Sequence, residues 1–301
     1  MRRKPRDEIK SGGFGPFITW VVRFHPEKGF LHQTSRRLRK TNAAAVAHPV
    51  AHKPHDALSR IRHHWLKVFA PRDISWWIAV LFMIGATHFA IASAASLWPK
   101  VEGLEWIHGP WIDYVYFSGS FFFTSAAYCQ WLQALNNSLD ETSDLHERGK
   151  KRWRFVGWRG RNLGYLSSAV QLAGTIFFNF NTGDAIFTGD RWQDYDALVW
   201  TPNFFGSICF LVASQLAVME FSHTTFSFKP KAVSWWIVII NLLGSILFMI
   251  SAMTSIASPQ NVLNIPLIAN IGTFGGAICF FTAAYLLIPE FFEKDAVVEP
   301  T

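Results

Sequence analysis

The sequence predicts an all-α membrane protein with six transmembrane helices, arranged as three parallel helical-hairpin repeats behind a basic cytoplasmic N-terminal segment. Half of the 301 residues are hydrophobic and only 16% are charged, whereas an ordinary soluble domain has roughly 25% charged residues. The apolar residues form six blocks, each close to the about 20 residues that a helix needs to cross a bilayer. A pattern of glycine and phenylalanine recurs in these blocks at a fixed spacing, which is typical of internal repeats.

The six apolar blocks set the organisation of the chain. We place the spans at 74–97, 111–135, 162–181, 199–221, 233–257 and 265–288. The chain then divides into a cytoplasmic segment (1–73), hairpin 1 (74–135), a cytoplasmic linker (136–161), hairpin 2 (162–221), hairpin 3 (222–288) and a cytoplasmic tail (289–301).

Each span contains a glycine that is followed four residues later by phenylalanine. We call these the hairpin glycines: Gly85, Gly119, Gly174, Gly206, Gly244 and Gly276. The two glycines of one hairpin are 34, 32 and 32 residues apart in chain order, and spans one and five share the tetrapeptide Ser-Trp-Trp-Ile. This regularity predicts duplication, with parallel copies around a pseudo-threefold axis along the membrane normal. Small residues at these positions favour close helix packing in lipid.

The basic residues predict the orientation in the membrane. Of 28 lysines and arginines, 26 lie on one side of the predicted spans, and only Lys100 and Arg191 lie on the other. The positive-inside rule therefore places both termini in the cytoplasm. Because the basic residues flank spans, we expect them to attract anionic lipid headgroups, at about 1 kcal/mol each, and we predict no nucleic-acid partner.

The N-terminal segment is basic and rich in histidine. Seven of the eleven histidines precede residue 65, and such tracts can bind metal. Pro49 and Pro54 prevent a helix that would bring His48, His52 and His55 to one face, so we predict no metal site. Residues 56–70 have the amphipathic pattern of a helix that lies in the membrane interface.

Polar residues inside spans are the sites where function is expected first. The candidates are Gln171, Gln215 and Asn241, in the cytoplasmic half, and His88 in the first span. They could form a solute site between hairpins, but interhelical hydrogen bonds, worth about 0.6–2 kcal/mol each, also explain them, and we favour that interpretation. His88 has no second histidine at its depth to complete a haem site, so we predict no cofactor.

Two stretches carry a resemblance to a known family: Phe-Phe-Gly-Ser-Ile-Cys-Phe at 204–210 and Leu-Leu-Gly-Ser-Ile-Leu-Phe at 242–248. They resemble the YrhK-like family of short bacterial two-helix membrane domains, in which Gly-Ser followed by apolar aromatics marks each helix. The resemblance covers hairpins 2 and 3, whereas in hairpin 1 alanine follows Gly85. It implies a multi-pass protein of the bacterial cytoplasmic membrane and assigns no activity or catalytic residue.

The sequence favours a protein that is not an enzyme and that acts through assembly, as a homo-oligomer or with another membrane protein. No phosphate loop, nucleophile elbow or zinc-protease motif occurs. The pair Asp194 and Asp196 lacks the glycine and glutamate of a calcium loop. The alternative function is a small-solute transporter or channel that uses Gln171, Gln215 and Asn241. A metal-dependent enzyme using the N-terminal histidines is the third hypothesis.

Overall fold

The computed structural model describes residues 8–25, 29–40, 69–99, 109–136, 153–189, 191–258 and 261–292. The histidines at 48, 52 and 55 and the predicted interfacial helix up to residue 68 lie outside the described residues. So do most of the cytoplasmic linker, 137–152, and the end of the tail, 293–301.

The N-terminal segment contains a three-stranded antiparallel sheet that the sequence analysis did not predict. Its strands are β1 (Glu8–Phe14), β2 (Phe17–His25) and β3 (Gly29–Thr34), in the order β1-β2-β3. Phe17 to Val22 are all aromatic or β-branched, the residue types that favour strands. Gly15 has a φ of 55°, which a two-residue hairpin loop accepts most readily from glycine. The helix α1 (Ser35–Lys40) follows directly.

Six long helices follow, and each overlaps one predicted span. They are α2 (Ile74–Leu97), α3 (Pro110–Asn136), α4 (Leu163–Phe187), α5 (Trp192–Ser222), α6 (Val233–Thr254) and α7 (Pro266–Phe292). Within the described residues, α2, α5, α6 and α7 are long and apolar enough to cross a membrane. The more polar α3 and α4 are as long, and their membrane crossing stays a prediction.

The starts of two helices show how local sequence fixes their boundaries. Asp73 accepts a hydrogen bond from the backbone N–H of Ser75 at 2.7 Å, and Asn162 accepts one from Tyr165 at 3.0 Å. Such side-chain caps satisfy amide groups that have no partner within the helix. Helix α5 starts seven residues before the predicted span, because Trp192–Tyr195 and a π-helical turn, Asp196–Trp200, lead directly into it.

The six long helices form a closed ring. Each packs against its two neighbours in the chain, and α7 returns to pack against α2. The starts of α2, α4 and α6 and the ends of α3, α5 and α7 lie at one end, which α1 and the sheet cover. The Thr19 hydroxyl on β2, for example, lies 2.7 Å from His223 Nδ1 at the end of α5. We call this the capped end and the opposite one the far end.

The hairpin glycines meet in pairs, one pair in each hairpin. A methyl group added to Gly85 would lie 3.0 Å from the carbonyl oxygen of Gly119, and the equivalent distances are 3.1 Å from Gly174 to Gly206 and 3.2 Å from Gly244 to Gly276. These are tight contacts, so the absence of side chains lets the two backbones approach.

Candidate functional site

The six phenylalanines that follow the hairpin glycines converge at the centre of the ring. Those of α2, α4 and α6 form one triangle, which we call the far layer: Phe89, Phe178 and Phe248. Its ring centroids are 5.8–6.4 Å apart. Those of α3, α5 and α7 form a second triangle, the near layer: Phe123, Phe210 and Phe280. Its centroids are 5.5–6.5 Å apart.

The two layers stack on each other along the axis of the ring. Within each hairpin, one phenylalanine of the far layer contacts one of the near layer, with centroids 5.2, 5.0 and 5.0 Å apart in chain order. None of the six side chains is more than 5% exposed. A methyl group on Gly206 would come within 2.8 Å of the Phe178 ring, so the glycines also make room for these rings.

A cavity with polar side chains in its wall lies on each side of the phenylalanine layers. The near cavity, of about 100 Å³, lies between the near layer and α1, and its polar lining includes Gln130, Gln133, Ser167, Gln171, Asn241, Arg36 and Arg39. The far cavity, of about 160 Å³, lies between the far layer and the far end, and it is lined by Asp113, Tyr116, Asn181, Tyr195, Asn203, Asn270 and other residues. Either volume exceeds the 10–15 Å³ or so that one water needs by severalfold.

Two of the predicted polar residues line the near cavity. The Gln130 Nε2 donates to Gln171 Oε1 at 3.2 Å, and the Asn241 Nδ2 donates to Ser214 Oγ at 2.8 Å. Gln171 and Asn241 therefore do make interhelical hydrogen bonds, as expected, but they make them in the wall of a cavity. Gln130, whose partner is on the neighbouring helix, was not among the residues predicted from the sequence.

The other two predicted residues do not reach the cavity. The Gln215 side chain donates to the backbone oxygen of Thr225 at 3.4 Å, outside the ring's centre. His88 has its Nδ1 2.8 Å from the carbonyl oxygen of Ile84, and its ring lies 5.4 Å from that of Phe122. Neither residue lines the near or the far cavity. The near cavity therefore brings together Gln171 and Asn241 but not Gln215 or His88.

Two ion pairs lie where α1 meets the ends of α5 and α7. The Arg36 Nε and Nη2 lie 3.1 and 3.5 Å from the two carboxylate oxygens of Glu290. The Arg39 Nη2 donates to Glu220, which also accepts a 2.6 Å hydrogen bond from Ser35 Oγ. The Glu220 side chain is fully buried and that of Glu290 is 7% exposed. Burial lowers the pKa of both arginines, while the charge of Glu220 opposes this shift.

The two carboxylates occupy the same position in the repeat, which was not recognised from the sequence alone. Gln133, Glu220 and Glu290 each stand 14 residues after the second glycine of their hairpin. A serine stands ten residues before the first glycine in hairpins 1 and 3. In hairpin 1, Gln133 Nε2 donates to Ser75 Oγ at 2.7 Å, and in hairpin 3, Ser234 Oγ donates to Glu290.

Hairpin 2 has Gly164 at the position of this serine. A methyl group there would overlap the Arg39 guanidinium and the Glu220 carboxylate. The arginine thus occupies space that the missing side chain leaves. Glu220 instead accepts a hydrogen bond from the hydroxyl of Ser35 in α1. The small cap helix α1 therefore completes the carboxylate site of hairpin 2.

No group of three or more histidine, cysteine, aspartate or glutamate side chains that could hold a metal ion occurs among the described residues. Comparisons with protein-family models, with curated proteins and with solved structures found no match to this chain.

Proposed function

We propose that this chain is a membrane conduit for a small solute and that the structure represents its closed state. One observation carries the proposal: two cavities with polar side chains in their walls lie on opposite faces of the two stacked phenylalanine layers. Apolar constrictions of this kind close a path by excluding water. The phenylalanine layers are therefore the gate, and each cavity is a vestibule.

The proposal includes six membrane spans in three duplicated hairpins. The support is that each hairpin contributes one glycine pair and one ring to each phenylalanine layer, with closely similar distances. The charge distribution favours a capped end in the cytoplasm. A YrhK-like hairpin in a bacterial inner membrane stays a prediction from the sequence motif.

The arrangement favours a conduit over an assembly protein without an internal path. Polar side chains that only join helices pack against one another, because an unpaired polar group in an apolar interior is costly. Gln171 and Asn241 make interhelical hydrogen bonds, but they also border a volume large enough for several waters or one small solute. The far cavity adds Asp113 and two tyrosines at the same central axis. No catalytic residue enters this proposal, and we propose a protein that is not an enzyme.

Flux measurements on purified protein in lipid vesicles test the conduit. The Phe248→Ala/Phe280→Ala variant removes one ring from each layer, and both rings are 4% exposed. The control Ile246→Ala/Phe281→Ala removes two side chains of the same helices that are 40% exposed on the outside of the ring of helices. We expect the first variant to raise the uptake of small polar solutes at least tenfold over wild type, and the control to match wild type.

Both variants are tested with small neutral, anionic and cationic solutes. A negative result then does not depend on having chosen the wrong class of solute. Equal uptake by both variants and by protein-free vesicles, for every solute tested, would contradict the proposal. In that case the polar cavities would serve packing alone, and the assembly role predicted from the sequence would become the better hypothesis.

A further inference from the structure

The structure also points to the class of solute, an inference that rests on the proposed conduit. We propose that Glu220 and Glu290 form a binding site for a small organic cation with N–H donors, of the guanidinium or alkylammonium class. In the described structure this site is occupied by the chain's own Arg36 and Arg39. Helix α1 is then a tethered competitor that covers the conduit.

The carboxylates of Glu220 and Glu290 lie next to the near cavity. Both stand at the capped end of the ring, and both arginines that bind them line the near cavity directly beneath. A solute that enters the near cavity from this end therefore passes the place where the guanidinium groups lie. Two buried carboxylates at such an entrance select for positive charge, since an unpaired buried charge is very costly.

The two arginines show which chemical group fits between the helices at this site. Arg36 presents two nitrogens to the two oxygens of Glu290, which is the fork geometry that makes guanidinium–carboxylate pairs specific. A free guanidinium ion has the same planar fork. The Arg39 guanidinium lies in a space that exists because residue 164 is glycine, so the ring of helices itself is shaped to admit such a group.

Aromatic rings and a further carboxylate line the two cavities beyond Glu220 and Glu290. The near layer presents three aromatic rings to the near cavity, and aromatic faces attract cations within about 6 Å. Past both layers, the far cavity contains the carboxylate of Asp113 and the rings of Tyr116 and Tyr195. A cation therefore meets a carboxylate at each end and aromatic rings between them.

Thermal unfolding of the full chain in detergent tests the site without measuring flux. A ligand that binds the folded state raises the midpoint by an amount set by its concentration over its Kd. The probes are methylguanidinium and methylammonium, with tetramethylammonium and sodium as controls, all as chlorides at 1–50 mM or so. Tetramethylammonium has the charge but no N–H donor.

We expect the Arg36→Ala/Arg39→Ala variant to bind methylguanidinium at least tenfold more tightly than wild type. The tethered arginines compete in wild type at an effective concentration on the order of millimolar. Adding Glu220→Gln and Glu290→Gln to the same variant should abolish the shift. An Arg72→Ala/Arg161→Ala variant, which removes two exposed arginines, should behave as wild type.

The proposal is overturned if methylguanidinium does not stabilise the Arg36→Ala/Arg39→Ala variant, if sodium or tetramethylammonium stabilises it equally, or if the shift survives the two glutamine substitutions. If the double variant does not fold, the Arg36→Gln variant is compared with wild type for methylguanidinium binding at Glu290. This variant keeps the ion pair between Arg39 and the fully buried Glu220. If methylguanidinium binds but no solute crosses the vesicle membrane, the proposed conduit is wrong and the proposed cation site stands. If solutes cross the membrane but methylguanidinium does not bind, the proposed cation site is wrong and the proposed conduit stands.

Discussion

Glu220 and Glu290 occupy the same position in their hairpins, but their carboxylates are satisfied in different ways. Glu290 accepts a hydrogen bond from Ser234 of its own hairpin and pairs with Arg36. Glu220 lacks that serine and takes both its hydroxyl and its guanidinium partner from α1. The comparison teaches that α1 is more than a covering segment. Its Ser35 replaces a side chain that hairpin 2 lacks, and we expect the docking of α1 to depend most on the Glu220 site.

The largest effect that this comparison predicts is on Arg39. The Arg39→Ala variant removes the arginine that is ion-paired and hydrogen-bonded to the fully buried Glu220, and we expect a loss of about 3–5 kcal/mol in the free energy of unfolding. Arg36→Ala should cost less, about 1.5–3 kcal/mol, because Glu290 keeps Ser234 and is slightly exposed. Chemical unfolding in detergent measures both, and equal losses would show that the two sites are equivalent.

A smaller effect is expected at the position where the hairpins differ. Gly164→Ala places a methyl group against Arg39 and Glu220, and such overpacking costs about 1–3 kcal/mol. Ser234→Ala at the matching position of hairpin 3 removes one hydrogen bond and should cost about 0.5–1.5 kcal/mol. The same unfolding measurement ranks them. A Gly164→Ala variant as stable as wild type would mean that the contact between α1 and hairpin 2 is loose.

The smallest effect concerns the sheet. Thr19 is fully buried, and its hydroxyl contacts His223 at the end of α5. Thr19→Val keeps the shape and removes that hydrogen bond, so we expect a loss of about 1 kcal/mol. Thr225→Val, at an exposed threonine, is the control for the substitution itself. A larger loss for Thr19→Val than for Arg39→Ala would place the main anchor of the cap in the sheet.

The sequence located the six helices because hydrophobic length and glycine spacing are local signals. It also identified the glycines and phenylalanines of the central layers, although their convergence depends on the ring closing between α2 and α7. The sheet was not predicted, because a short apolar run such as Phe17 to Val22 does not by itself distinguish a strand from other short apolar segments. In the structure, Gly15 and Pro16 form the turn of its first hairpin.

The site was harder to predict than the helices. Arg39 and Glu220 are 181 residues apart, and no periodicity connects a cap helix to the end of a distant span. Gln215 was misplaced for a different reason. Each residue turns a helix by about 100°, so its neighbour Ser214 faces Asn241 while Gln215 points towards Thr225. Without the phase of α5 around its axis, polarity alone could not choose between them.

The central claim is that the phenylalanine layers close a path between two cavities. It is tested most directly by the osmotic water permeability of vesicles that contain the Phe178→Ala/Phe210→Ala/Phe248→Ala/Phe280→Ala variant, which removes two rings from each layer. The matched control is Phe177→Ala/Phe205→Ala/Ile246→Ala/Phe281→Ala, which removes four more exposed side chains from the same helices. We predict that the first variant raises permeability at least tenfold over wild type and that the second does not change it. Equal permeability of both folded variants would contradict the account.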